Sequence, residues 1–331
     1  MTRITVVGAG AIGGFVGGRL LDVGVDIVFV EQNEAHVAAI RADGLRITGA
    51  QTLHVRPRAL LPDEVDGELG CVLLAVKARH TADALATIAP RLAAGGFVVS
   101  LQNGLEEYRI ADAVGADRTV GAALTFGGHY EGPGHVVYGG PGSLHVGELD
   151  GAVTERVERL GELLSLAHPA SVTERIFSLL WGKSALGAFY FATALVDADV
   201  LDVLAREEYL PVLGELVAGV ARVAAAEGVV LEPIDGFDPA AFVAGDAERM
   251  AASWESQRRY WRGLEARRTG VWRDLNVHRR PTELREILGP VLERARVRRL
   301  EEPLLERLFV LVGEAESGRI RSGYQALDEL A

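Results

Sequence analysis

The chain is expected to fold as α/β, with a doubly wound parallel sheet over residues 1–170 and an all-helical unit over residues 171–331. Three observations carry this expectation. Up to about residue 167, apolar β-branched runs ("RITVVG", "VDIVFVE", "CVLLAV", "GFVVSL") alternate with stretches of helical spacing. Buried strands separated by helices belong to a parallel sheet covered on both faces. Beyond that point apolar residues recur at helical intervals, as in "EEYLPVLGELVAGVARVAAAEGV" and "EEPLLERLFVLVGEAESGR". Third, the opening strand runs straight into a glycine-rich turn and a helix, "RITVVGAGAIGGF".

That opening stretch fits G-x-G-x-x-G through Gly8, Gly10 and Gly13. The pattern is weak alone, but here it follows a strand and opens a helix, the context of a Rossmann-type dinucleotide site. Gly8 permits the tight turn, Gly10 lets a pyrophosphate approach the backbone, and Gly13 lets helix and strand pack closely. With Ala9, Ala11 and Ile12 between them, they present free N–H groups and the positive end of a helix dipole to the phosphates. The second strand closes on Glu31, placed to accept hydrogen bonds from a ribose 2′-hydroxyl and to repel a 2′-phosphate. NAD(H) is therefore favoured, with NADP(H) as the alternative; a plain surface carboxylate is the simpler reading of Glu31. "CVLLAVK" ends in Lys77 and "VSLQNGLEE" in Asn103 and Gly104, at the strand ends where ligands collect in open α/β sheets. Asn103 reads either as a group facing the nicotinamide ribose or substrate, or as a helix cap.

Between Thr119 and Glu148, short glycine-punctuated strands ("TVGAALTFGGHY", "GHVVYGG", "SLHVGEL") suggest a less regular extension of the sheet. Ala123, on the first of them, completes the expected cofactor-binding set. "LAHPASVTERIF", around His168 and Pro169, reads as the crossing into the helical unit, and "LEPIDGFDPAAF" as a break between helices.

The composition sets bounds. The 331 residues are 49% hydrophobic and 24% charged, enough for about two domains with their own cores. A formal net charge of −12 argues against nucleic acid or anionic membranes as partners. Cys71 is the only cysteine, so an intrachain disulfide is excluded, and no histidine pair has metal-ligand spacing; no metal site is expected. The longest strongly apolar run, Ala185 to Val196, falls short of the ~20 residues that span a bilayer. The N-terminus opens directly into a strand without a basic and apolar leader, so a cytoplasmic location is expected.

Of the 34 basic residues only Lys77 and Lys183 are lysine. A lysine in a dry pocket can give up and regain its proton, which arginine cannot. Lys183 is expected near the start of the helix "SALGAFYFATALV", apolar almost all round and hence buried almost all round. Partial desolvation there would suit the amine to proton transfer; a snorkelling lysine at a helix end is the simpler reading.

The glycine fingerprint, "AVK", "LQNG", "VGE", "LWGK" and "RRPTEL" occur in this order, and together they resemble the ketopantoate (2-dehydropantoate) 2-reductase family over about residues 3 to 318. The resemblance implies a Rossmann domain joined to a helical domain, reducing a 2-oxo acid with a nicotinamide cofactor. It implies Lys183 as the catalytic lysine and Glu283 as the active-site glutamate, with Asn103 on the nicotinamide side and Lys77 in the cleft. The chain departs from that pattern. The asparagines usual one and two turns after the lysine are Gly187 and Phe191, and Thr269 in "TGVWRDL" is the nearest hydroxyl where a serine is usual. The stretch from Asp274 to Glu283 is one residue longer than usual. Asn103, Gly187, Thr269, Trp272 and Asp274 are the candidate substrate-side residues.

Between Arg258 and Arg280 eight arginines face only Glu265 and Asp274. This stretch reads as a solvated face paired to acidic helices, or as a source of a cation (Arg273, Arg279 or Arg280) that attracts an anionic substrate. The expected function is an NAD(P)-dependent oxidoreductase interconverting a 2-oxo acid and its hydroxy acid, with Lys183 exchanging the proton and with a substrate other than ketopantoate. The alternatives are an NAD⁺-driven hydroxy-acid dehydrogenase working oxidatively and a cofactor-sensing binding protein without turnover. Apolar helices in the second unit are compatible with a homodimer.

Overall fold

The computed structural model describes residues 3–264 and 267–330. The chain divides into two compact units, Met1–Ile176 and Phe177–Ala331. Glu265 lies outside the described residues.

In the first unit the elements are β1 (Ile4–Val7), α1 (Ala11–Asp22), β2 (Ile27–Val30), α2 (Glu34–Asp43), β3 (Leu45–Gly49), β4 (Leu53–Val55), β5 (Arg58–Leu60), β6 (Leu69–Leu74), α3 (Thr81–Ile88), β7 (Leu92–Ser100), α4 (Glu106–Val114), β8 (Thr119–Leu124), β9 (Gly128–Gly132), β10 (His135–Tyr138), β11 (Leu144–Glu148), α5 (Glu155–Ser165) and β12 (Ser171–Val172). The main sheet has the order β12-β11-β8-β7-β6-β1-β2-β5. Strands β5, β2, β1, β6, β7 and β8 run parallel, β11 follows antiparallel to β8, and the short β12 forms that edge. Side chains alternate across a strand, and the two faces feed separate cores. Val6, Phe29, Leu73 and Val99 pack with Phe15 and Leu20 of α1. Their neighbours Val7, Val30, Val72, Leu74 and Val98 pack with Leu85 of α3 and Ile110 of α4. Each such side chain contributes about 1.5–3 kcal/mol by leaving water. This is the doubly covered parallel sheet expected from the unbroken apolar runs.

The stretch from Thr119 to Glu148 corrects the expectation. Only β8 and β11 extend the main sheet. β9 and β10 leave it and pair with β3 and β4 in a second sheet of order β4-β3-β10-β9. The physical reason lies in the partner: β10 lies parallel to β3, with His135 opposite Arg46, a pairing set by tertiary contacts rather than by local sequence. β12 still pairs with β11, and the division between Ile176 and Phe177 falls at the far end of the stretch "LAHPASVTERIF".

The second unit is helical: α6 (Ile176–Ala194), α7 (Val200–Leu204), α8 (Leu210–Ala226), α9 (Pro239–Ala244), α10 (Ala247–Arg262), α11 (Gly270–Arg273), a π-helical turn (Asp274–His278), α12 (Leu284–Ile287), α13 (Gly289–Val297), α14 (Pro303–Glu316) and α15 (Tyr324–Asp328). Trp181, Phe189, Phe191 and Phe237 are fully buried. Trp254 packs against Phe189 and Phe242 at ring distances of 5.3 and 5.0 Å. The helical stretch Glu207–Ala226 is long and apolar enough to cross a membrane by length and composition, a property that the apolar runs of the sequence assign to no segment; 67% of its apolar 18-residue window is buried inside the protein, as for a core helix.

Candidate active site

In the first unit the site follows from strand order. β1 is flanked by β2 on one side and β6 on the other, so the chain winds in opposite directions from it and leaves a crevice at the carboxyl ends of β1 and β6. The glycines shape that crevice. Gly8 has φ +98°, and a β-carbon there would meet the Val76 backbone nitrogen at 2.8 Å. A β-carbon on Gly13 would lie 2.0 Å from the Gly8 carbonyl oxygen. Gly10 differs: a β-carbon on it would meet no heavy atom within 4 Å. Gly10 is also the N-cap of α1, and no side chain caps that end. The open space over an uncapped helix N-terminus has room for a diphosphate, which the N–H groups of the Gly10–Gly13 turn would hold. The residues present therefore suit a nicotinamide dinucleotide.

Glu31, one residue past β2, accepts from the Ala9 N–H (2.9 Å) through Oε2 and from the Asn33 N–H (2.9 Å) through Oε1. Each carboxylate oxygen has further acceptor capacity. The two bonds fix the carboxylate between the glycine turn and the start of α2. His36, which its sequence neighbourhood makes look incidental, is buried; its Nε2 donates to the Ala9 carbonyl (2.9 Å) and its Nδ1 accepts from the Gly134 N–H (2.8 Å). No local pattern marks it, because both partners are distant in sequence.

Lys77 is exposed, three residues past β6, at the N-cap of a 3₁₀ turn (Ala78–His80). Asn103 is half-buried in the turn after β7, where Gly104 adopts φ +87°. The N-cap position of α4 is Leu105, two residues past Asn103. The neighbouring Gln102, missed from sequence, donates through Nε2 to the Val76 carbonyl (2.9 Å) and the Thr81 hydroxyl (2.8 Å). These bonds join the loop bearing Lys77 to the loop bearing Asn103. Ala123 is buried on β8 opposite His145.

In the second unit Lys183 is the eighth residue of the 19-residue helix α6, which begins at Ile176. It is therefore mid-helix, not near the start: "IFSLLWG" is helical too and extends the element backward. Beyond Phe177 in its first turn, α6 is buried except along Lys183, Leu186, Gly187 and Tyr190, which are partly exposed. Their i, i+3, i+4, i+7 spacing makes them one stripe. Gly187 thus shares a face with Lys183, whereas Phe191 belongs to the core. Tyr190 closes the stripe, donating its hydroxyl to Gln257 Oε1 (2.7 Å); burial pushes its pKa up, so it stays a neutral phenol.

Glu283 is the N-cap residue of α12. Its neighbour Thr282 is buried and donates from its N–H (2.8 Å) and its hydroxyl (2.5 Å) to Glu316 of α14, while its oxygen accepts from the Leu284 N–H (3.2 Å). Ile287, one turn after Glu283, lies against α6: a β-carbon on Gly187 would be 3.4 Å from its Cγ2. Lys183 and Glu283 are thus each one helical turn before the point where α6 and α12 touch.

The remaining candidates have local tasks. Thr269 caps α11, accepting from the Trp272 N–H (3.0 Å). Trp272 carries the Arg268 guanidinium 4.1 Å above its ring. Asp274 pairs with Arg280 at 2.7 Å. Asp274–His278 forms a wide π-helical turn, followed by Arg279 at φ +49°. In the basic stretch Arg258 and Arg262 pair with Glu255, and Arg268 with Asp197 and Asp199. Among the described residues no group of His, Cys, Asp and Glu could hold a metal ion.

Comparison with known proteins agrees with this geometry. The chain is 27% identical over 323 residues to the 2-dehydropantoate 2-reductase of Pyrococcus abyssi, covering 95% of this chain and 98% of that protein. The fold matches the ternary structure of D-mandelate dehydrogenase with NADH and anilino(oxo)acetate (TM-score 0.83, 21% identity, 96% of this chain and 99% of that one). It also matches a ketopantoate reductase from Ralstonia eutropha JMP134 (TM-score 0.78, 25% identity, 96% and 99%). Residues 4–151 fit the family described as Ketopantoate reductase PanE/ApbA, and residues 175–316 fit Ketopantoate reductase PanE/ApbA C terminal. A dinucleotide turn in one unit, a lysine and a glutamate on touching helices of the other, and two family matches spanning nearly all the chain make it a member of the ketopantoate reductase family, an NAD(P)-dependent oxidoreductase that interconverts 2-oxo acids and hydroxy acids.

Proposed function

We propose that the chain reduces a 2-oxo acid with a bulky, apolar side chain, other than ketopantoate, with NADH as the preferred cofactor and Lys183 as the proton donor. The observation that carries the reading is the α6 stripe. The lysine is kept, but the position one turn on is Gly187, packed beside Ile287 and next to Leu186. A site lined this way has no amide at that point for a substrate hydroxyl, and an unpaired polar group there is costly. The D-mandelate dehydrogenase of like fold carries an aryl 2-oxo acid derivative, anilino(oxo)acetate, which supports the substrate class.

When bound, the reduced nicotinamide supplies the hydride. Lys183, as ammonium, stabilises the negative charge that grows on the carbonyl oxygen and delivers the proton that oxygen takes up. Glu283 orients the amine, and Thr282, tied to Glu316, holds Glu283 at the head of α12. Lys77 and Asn103 are proposed on the cofactor side, their loops locked together by Gln102. Glu31 is proposed to accept from the ribose hydroxyls, and its negative charge disfavours a 2′-phosphate. In the oxidative direction the same amine starts neutral and accepts the proton. The homodimer is retained as part of the proposal, tested by light scattering.

The test is a panel of 2-oxo acids with NADH and with NADPH, run beside hydroxy acids with NAD⁺. The expected result is a higher kcat/KM for aryl or branched oxo acids than for ketopantoate, and for NADH than for NADPH. Ketopantoate as the best substrate, with NADPH, contradicts the proposal.

A further inference from the structure

β9 is the outer strand of the second sheet, and residues 128–131 are exposed along it. Its path is fixed at two points. At Gly128 a β-carbon would lie 3.3 Å from Cβ of Ala11, the first residue of α1. Two residues on, and so on the same side of the strand, the Tyr130 ring meets the His36 ring edge-on at 5.1 Å. The Asn33 side chain and the Glu31 charge both act on the Tyr130 hydroxyl, which places it beside the end of β2. The strand thus runs from the glycine turn to the end of β2, the course that a dinucleotide takes from its diphosphate to its adenosine ribose. His36 fastens this arrangement, bridging the Ala9 carbonyl to the N–H of Gly134 in the β9–β10 turn.

We propose that Tyr130 is a specificity-determining residue for the cofactor: its ring and the Glu31 carboxylate together close the space around the ribose 2′-oxygen, admitting a hydroxyl and rejecting a phosphate. The inference rests on the reading of Glu31 as the ribose-binding carboxylate. A 2′-hydroxyl needs one acceptor and little room. A 2′-phosphate brings up to two negative charges and three more oxygens, which meet a carboxylate and an aromatic face with no cation among Glu31, Gln32 and Asn33. Burial of the hydroxyl raises the Tyr130 pKa, the Asn33 side chain opposes the shift, and Glu31 adds to it. The net shift keeps the phenol neutral, so its part is steric and Glu31's part is electrostatic.

The experiment measures dissociation constants for NADH and NADPH by titration calorimetry on the full chain without substrate, for the native protein and the variants Tyr130→Ala, Tyr130→Phe and Glu31→Gln. The native protein is expected to prefer NADH. Tyr130→Ala is expected to narrow that preference about tenfold, mainly by gained NADPH affinity. Tyr130→Phe, which keeps the ring, is expected to stay within about twofold of the native ratio. If Glu31→Gln narrows the preference while Tyr130→Ala leaves it unchanged, Tyr130 has no such role and the Glu31 reading stands. A native protein without NADH preference overturns both. Should Tyr130→Ala fail to melt cooperatively, Tyr130→Trp substitutes for it: the larger ring must widen the preference, and an unchanged ratio overturns the proposal.

Discussion

Gly10→Ala separates the cofactor's demands from those of the fold. The added β-carbon meets no heavy atom within 4 Å, and the residue has φ −70° and ψ −160°, an extended conformation that alanine adopts. Two small effects on stability oppose each other. Alanine loses less chain entropy on folding, a gain of about 0.4–1 kcal/mol, and is a poorer N-cap than glycine by roughly 1 kcal/mol. The melting temperature should therefore stay within about 3 °C of the native value. Binding should not. The methyl group enters the space through which a diphosphate reaches the N–H groups of α1. Losing two charge-assisted hydrogen bonds at about 1.5 kcal/mol each amounts to roughly 150-fold in affinity. NADH titration followed by protein fluorescence, beside a thermal melt, measures both. Gly13→Ala is the contrasting case: its β-carbon would lie 2.0 Å from the Gly8 oxygen, so stability and binding should fall together. Native NADH affinity in a well-folded Gly10→Ala protein would refute the diphosphate assignment.

Other expectations concern support and titration. Thr282→Val keeps the N–H bond to Glu316 but loses the hydroxyl, leaving Glu283 less constrained; kcat should drop about tenfold with cofactor affinity unchanged, and Thr282→Ser should restore it. Burial pushes the Cys71 thiol up to about 12, so at pH 8 a disulfide reagent should label the folded protein on the order of a thousandfold more slowly than a free thiol. Rapid labelling of folded protein contradicts that. Burial raises the Glu227 pKa, but hydrogen bonds and charge from Arg298 and Arg294 outweigh it and hold the carboxyl below its ordinary 4.5. A depressed folded pKa gives stability that is present above 4.5 and lost as pH falls through the folded value. Glu227→Gln should thus lower the melting temperature at pH 7 and progressively less below that point; a penalty independent of pH contradicts the assignment.

What could be read from the sequence depended on the range of the interaction. The tight turn at Gly8 and the close packing at Gly13 were legible because each acts through backbone geometry within one strand–turn–helix. The two-faced sheet was legible because alternation sends Val6 and Val7 to different cores. The start of α6 was missed because "IFSLLWG" has no break and no capping residue to separate it from the apolar residues beyond Lys183. The second sheet, the bridge made by His36 and the Thr282–Glu316 bonds were not legible: each joins positions far apart in the chain, and no local spacing encodes them. The π-turn lies between these cases. The stretch between Asp274 and Glu283 could be singled out in the sequence, but its π-helical form could not be read there.

The most direct measurement of the central claim is single-turnover reduction by Lys183→Ala and Lys183→Arg under saturating NADH, with NADH affinity measured on the same preparations. The account predicts native affinity in both variants and a rate lowered by at least about a thousandfold in Lys183→Ala. Lys183→Arg, which keeps a charge but does not release its proton, should recover little of it. A Lys183→Ala protein that turns over within tenfold of the native rate would contradict the account.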